Sequence, residues 1–198
     1  MPLVFSTGWA SGVNAYLVVL MLGLMGRLTE VGDVPDALTR TDVLVVAGFL
    51  FAMEFVADKI PYIDSTWDAV STAIRPTAGV VIALLVSGDA TTLEQAVLAA
   101  VGGGTALASH AVKAGLRVAV NTSPEPVTNV AASVGEDLTV AGVVLLAVYH
   151  PWWALGISAT LLLVGGVLVF LVLRRVRRGL RTRRERRENR SRSPVARS

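Results

Sequence analysis

Apolar residues run along this chain in stretches too long for strands, and without the alternation that a transmembrane barrel requires. Residues 3–27 are apolar apart from Asn14 and small hydroxyls, and the run ends at Arg27. A helix needs about 20 residues to cross a bilayer at 1.5 Å per residue, so this stretch predicts a first membrane span. Gly8 and Gly12 within it have the spacing that lets membrane helices approach closely. Residues 28–40 are polar, contain Pro35 and predict a loop; a second span covers about 42–60 and stops at Pro61.

From there the pattern becomes irregular. A polar link over 62–68 leads into a short predicted helix, 69–74, which Arg75-Pro76 interrupts because proline removes a donor and disfavours helix in its predecessor. Residues 77–86 are apolar for only about half a membrane thickness. The loop 87–92 precedes the longest predicted helix, 93–120, with Gly102-Gly103-Gly104 inside it. Asn121-Thr122-Ser123-Pro124-Glu125-Pro126 ends that helix. Residues 127–134 resume, Gly135-Glu136-Asp137 interrupts, and 138–149 is short again. After His150-Pro151 comes a clean last span, 152–173, whose Trp152 and Trp153 suit a membrane interface.

Two of these stretches resemble each other. Residues 78–85 (AGVVIALL) line up with 141–148 (AGVVLLAV) at a separation of 63, and Glu54 then falls on Arg117. The pattern predicts an internal repeat in which each copy holds a long charged helix, a proline-containing link and an interrupted apolar piece. Short or interrupted segments at matching places in two halves point to a transporter-type binding site.

Composition sharpens the class. Only 17% of the residues are charged, against about a quarter in soluble domains, so the expected fold is all-α, a polytopic helical membrane bundle. Five to six membrane segments are expected, two of them short or broken. The net charge of +3 conceals an asymmetry: twelve arginines and two glutamates lie from Arg174 onward, whereas six bases and thirteen acids precede it. This divides the chain into a membrane domain, 1–173, and an arginine-rich tail, 174–198, read as disordered. The positive-inside rule puts that tail in the cytoplasm, where it can meet anionic lipid headgroups. The N-terminus lacks a basic leader region, so the first helix is expected to be retained. With no cysteine, thiolate chemistry is excluded.

The candidate chemistry lies in charges within the apolar segments. Glu54 and Asp58 are four apart, and His110, Lys113 and Arg117 stand at i, i+3 and i+7, so each set shares one helical face. Ionisable groups at membrane depth cost about 2.5–3.5 kcal/mol each and therefore face protein or a polar cavity. These five residues are the candidate solute or ion pathway, around a cavity between the two faces. The bland alternative is fixed interhelical pairing such as Glu54–Arg117. Arg75, Pro76, Glu136 and Asp137 are the candidate helix breaks, whose ends would offer dipoles and free backbone groups to a solute. Asn14, Asn121 and Asn129 can bond across helices or cap them. Asp58, Asp64 and Asp68 offer oxygen ligands, although solvated acids and a helix cap explain them with less. His110 has no second histidine near it in sequence, and His150 sits at a tight turn, so no metal site is assigned.

Several strings carry a family resemblance: Ala10-Ser11-Gly12-Val13-Asn14-Ala15-Tyr16, Glu54-Phe55-Val56-Ala57-Asp58-Lys59-Ile60-Pro61, Asp64-Ser65-Thr66-Trp67-Asp68, Ile74-Arg75-Pro76, and Ala119-Val120 followed by the NTSPEP string. Over most of residues 7–150 the chain resembles the bacterial membrane family known as domain of unknown function 4126 (DUF4126). The resemblance implies a bacterial integral membrane protein, with no activity or functional residues to carry over.

The expectation is a transporter- or channel-like protein of the bacterial inner membrane for a small polar or charged solute. The alternatives are a non-transporting scaffold or assembly factor and, less favoured, an intramembrane enzyme on lipid-linked substrates. No catalytic or cofactor motif is present, so neither an enzyme nor a cofactor is expected. The bilayer, anionic headgroups at the tail, a small solute or ion and a second copy of the chain are the partners this reading allows.

Overall fold

The computed structural model describes residues 1–29, 34–60, 63–120 and 126–192, with side chains for all of these except 64–65, 118–120, 126–129 and 179–192. Among the described residues the chain is helical throughout: α1 (Pro2–Leu28), α2 (Asp36–Thr39), α3 (Thr41–Ala57), α4 (Ile63–Ser87), α5 (Thr92–Val120), α6 (Pro126–Tyr149) and α7 (Pro151–Arg192). Five of these helices, α1 and α4–α7, are long and apolar enough to cross a membrane. This is a multi-pass membrane protein.

α1 is long enough to cross, but it turns back. Asn14 has extended backbone angles (φ −150°, ψ 94°) in the middle of the helix. Leu3 and Leu22 line the same cavity of about 230 Å³, together with Val86 and Val148. Along a straight helix those two leucines would stand about 28 Å apart. α1 is therefore a re-entrant pair of half-helices: residues 2–13 descend to Asn14, and residues 15–28 return to the side on which the chain began. The first arm runs along α5, where an added Cβ on Gly8 would meet Gly102 and one on Gly12 would meet Ala106. The second arm packs on α3, with Gly23 against Leu44 and Leu20 beside Gly48. Length and hydropathy are blind to direction, which is why the run 3–27 reads as a straight span.

A re-entrant helix exposes irregular backbone at membrane depth, so other helices must cover it. Accordingly, nearly every residue from Ser6 to Val18 is buried. Val13, Leu17, Val18 and Leu22 form the core with Ile82 of α4 and Val140 and Val144 of α6. Close approach of α4 and α5 comes from Gly79 and Gly102, each of which would drive a Cβ into the other's backbone.

α4 and α6 differ from expectation in the opposite sense. α4 passes through Arg75-Pro76, with Pro76 inside the helix, and α6 passes through Glu136-Asp137. One proline deletes a single backbone donor, Arg75 meets Glu54 of α3, and Glu136 meets Lys113 and Arg117 of α5, so neither position has to break the helix. Among the described residues, the break inside a long helix falls at Asn14. The helix α7 runs from Pro151 to Arg192, into the arginine-rich segment. Arginine is a good helix former, and Arg181/Glu185 and Arg184/Glu188 have the i, i+4 spacing that supports a helix.

α4 and α6, which carry the two similar strings, end 62 residues apart, at Ser87 and Tyr149. The buried faces are not equivalent: α4 turns Ile82 and Ala83 inward, whereas α6 turns Val140, Val143, Val144 and Ala147.

Two outcomes follow. The chain has no native cysteine, so single cysteines at Pro2, Leu28 and His150 should all react with an impermeant maleimide from one side of the membrane, and one at Arg178 from the other. Separation of Pro2 from Leu28 would show that α1 crosses. Gly12→Val should cost about 1–3 kcal/mol in detergent unfolding through overpacking, while Gly142→Val, with open space at its Cβ, should leave stability within about 0.5 kcal/mol.

Candidate functional site

The tip of α1 enters a cluster of charged side chains supplied by four other helices. On α4, Asp68, Ser71, Thr72 and Arg75 fall at three- and four-residue intervals, which aligns them along one face. The face of α5 brings His110, Lys113 and Arg117 to the same depth, α3 brings Glu54 and Asp58, and α6 brings Glu136 and Asp137. Glu54 is 0% exposed, Asp58 and Arg75 1%, His110 3%, Lys113 4%, Asp68 and Arg117 5%. Charges this deep must be paired.

They are paired in two groups that share one lysine. Arg75 bridges two acids: its guanidinium lies 2.5 Å from Glu54 Oε1 and 3.0 Å from Asp68 Oδ1. Arg117 bridges two more, Asp58 at 2.9 Å and Glu136 at 3.2 Å. Lys113 stands between, 3.0 Å from Asp58, 3.3 Å from Glu136 and 3.7 Å from Glu54. The anticipated Glu54–Arg117 pair does not form. Asp58 lies one turn beyond Glu54 and takes Arg117, and Glu54 takes the arginine of α4.

His110 completes the Arg75 group. Arg75 Nη1 lies 2.8 Å from His110 Nδ1. Arginine has only donors, so Nδ1 accepts and the ring is neutral with its proton on Nε2. That Nε2–H donates to Thr72 Oγ1 at 3.0 Å, and the Thr72 hydroxyl donates to the Asp68 carbonyl at 3.0 Å.

The break in α1 is built into this network. Where a helix stops, its last carbonyls and the first N–H groups of the next segment lose their partners. Lys113 donates to the Val13 carbonyl at 3.0 Å, and Arg75 Nη1 lies 3.5 Å from that of Gly12. Asn14 Oδ1 accepts the Leu17 N–H at 3.0 Å and so caps the second arm, while its Nδ2 donates to Asp137 Oδ1 at 3.0 Å. Asn14 therefore both caps a helix and bonds across to another, the two roles open to it in the sequence.

All five pathway candidates thus converge, and three of the four break candidates, Arg75, Glu136 and Asp137, join them. Pro76 contributes no polar group. The faces touch at these ion pairs. A cleft of about 330 Å³ adjoins them, lined by Val13, Lys113, Glu136, Thr139, Leu161 and Val164. Of the two cluster members that line it, Glu136, at 25% side-chain exposure, is more open than Lys113, at 3%. Lys59 lies at the rim, its ammonium 2.9 Å from the centroid of the Phe55 ring and 2.8 Å from the Phe55 carbonyl. His150 is exposed at the α6–α7 connection. Asn121 and the side chains of Asp64 and Asn129 lie outside the described residues. Asp68, Ser71 and Thr72 escape a reading that looks for charged pairs at membrane depth, although their spacing with Arg75 is a polar stripe visible in the sequence.

Residues 1–173 match the family described as Domain of unknown function (DUF4126). The chain belongs to this family. The match takes in every residue of the cluster and both arms of α1. Comparison with curated proteins and with solved structures finds no match.

Removing one cation should expose the cost of this arrangement. Arg75→Gln strands Glu54 and Asp68 and should destabilise the protein by about 3–5 kcal/mol in denaturant titration in detergent. Adding Glu54→Gln should recover part of that loss through a coupling energy of about 1–3 kcal/mol. Additive effects would show that the two side chains act independently.

Proposed function

We propose that this protein is a transporter- or channel-like protein for a small polar or charged solute, with its site at the tip of α1. The supporting observation is the break at Asn14: a re-entrant helix ends in the bundle interior, and its freed carbonyls meet Lys113 and Arg75. In membrane transport proteins discontinuous helices supply backbone groups and dipole ends to solutes and ions near mid-membrane. Glu54, Asp58, Asp68, Arg75, His110, Lys113, Arg117 and Glu136 would line the path, with the cleft at Glu136 as one approach.

The membrane proposed is the bacterial inner membrane. The exposed arginines 174, 175, 177 and 178 follow the apolar part of α7 and favour a cytoplasmic C-terminus, in contact with anionic headgroups. Both ends of α1 then lie on the outer side.

The dense pairing favours a second reading, a scaffold in which the cluster only fixes helix positions. Flux separates the two. Full-length protein in liposomes, screened for osmotic swelling against a panel of small polyols, amides, amino acids and salts, should pass at least one class at a rate tenfold or more above empty vesicles. Glu136→Gln, which alters the cleft face of the cluster, should reduce that rate at least tenfold while assembly is retained. A folded protein that passes nothing in the panel, with or without an imposed ion gradient, supports the scaffold.

A further inference from the structure

The acids and bases of the cluster do not balance. Among the described residues Glu54, Asp58, Asp68, Glu136 and Asp137 face Arg75, Lys113 and Arg117, with Lys59 as a fourth cation at the rim. His110 adds no charge, because Arg75 occupies its acceptor nitrogen. Even with Lys59 counted, one negative charge is left over, and Glu54 and Asp68 are buried, where an uncompensated ion costs several kcal/mol.

The excess can be located. Asp58 and Glu136 share Arg117 and Lys113, two acids to two cations. Asp137 bonds to Asn14 and lies in the field of Lys113 and, more weakly, Lys59, with its Oδ2 lacking a hydrogen-bond partner. Glu54 and Asp68 share Arg75, and the only other cation near Glu54 is the more distant, already engaged Lys113. The same place gathers buried polar atoms without a hydrogen-bond partner: Glu54 Oε2, Asp68 Oδ2, Ser71 Oγ and Arg75 Nε. Ser71 stands on α4 one turn from both Asp68 and Arg75 and is 1% exposed. The other titratable groups facing the pair are Tyr16 of α1, Asp58 of α3, and His110, Lys113 and, toward Asp68, Arg117 of α5.

We infer that the Glu54–Arg75–Asp68 triad carries one exchangeable proton, held between its two carboxyl groups, and that the ion which drives or accompanies transport is the proton. A proton fits this place better than a metal cation. Hard cations require six or more oxygen ligands, and among the described residues no three acidic or histidine side chains converge to hold one. On protonation one carboxyl becomes a hydrogen-bond donor and Arg75 keeps a single carboxylate, so charge balances. On release the second carboxylate competes for Arg75, which also holds the Gly12 carbonyl at the tip. The role of this proton in transport rests on the function proposed above; its presence does not.

Infrared spectroscopy of the full chain in lipid nanodiscs, in sodium-free buffer, tests the inference without any solute. At neutral pH the wild type should show a protonated-carboxyl C=O band that disappears reversibly as pH is raised. The band should be lost in Glu54→Gln or Asp68→Asn and kept in Asp137→Asn and Glu136→Gln. If the triad variants fail to assemble, ¹³C-carboxyl labelling of glutamate or of aspartate in the wild type and in Asp137→Asn identifies the carrier, and a band that shifts with either label in Asp137→Asn sustains the triad. Absence of the band at neutral pH, its loss in Asp137→Asn, or its displacement by sodium with the stoichiometry of a bound ion overturns the proposal. A band without flux in liposomes defeats the transport reading alone, and flux without a band defeats the proton alone.

Discussion

A broken backbone cannot be left bare inside a bilayer. At Asn14 the chain gives up helical hydrogen bonds where no water replaces them, and each unsatisfied group there costs several kcal/mol. The rest of the structure answers that constraint. Asn14 caps the returning arm with its own side chain, Lys113 takes the Val13 carbonyl, and the surrounding helices bury α1 almost completely. The cations that serve the tip are themselves too costly to bury alone, so acids on α3, α4 and α6 accompany them. One interrupted helix thus accounts for much of the intramembrane charge.

What sequence could reveal follows from which physical quantities are local. Hydropathy is local, so the helical membrane class, the last span and the Gly8/Gly12 contact stripe were readable. Helical spacing is nearly so, which is why Glu54 with Asp58, and His110 with Lys113 and Arg117, were recognised as faces that must meet protein. Direction is not local. A 27-residue apolar run with one asparagine reads as a crossing, and only the packing of Leu3 beside the cavity that holds Leu22 shows that it returns. Partner choice is not local either: Arg75 looked like a break because proline follows it, yet its guanidinium at 1% exposure is the most connected side chain of the Glu54 group. The helix continues because losing one donor costs less than moving that arginine.

The helices around the tip give it its setting. α3–α4 and α5–α6 each supply one cation to a backbone carbonyl at the break: Arg75 from the first pair and Lys113 from the second. The side chains at corresponding positions differ, so the pairs are alike as scaffolds and unlike as chemistry. The first presents two acids on one arginine, and the second presents two cations to acids drawn from both pairs.

That inequality bears on how such a cluster could move. A network with every acid matched to its own cation is rigid, because any displacement strands two charges at once. Here Lys113 lies within 3.0–3.7 Å of three carboxylates, so it can shift its weight among them without leaving any unaccompanied. Arg75 is likewise divided between two acids, an imidazole and the tip. Rearrangement among shared partners costs far less than rupture of a private pair, whose loss is worth about 3–5 kcal/mol. On the function proposed above, that sharing is what would let the site change state; on the scaffold reading, the same contacts only hold the helices together.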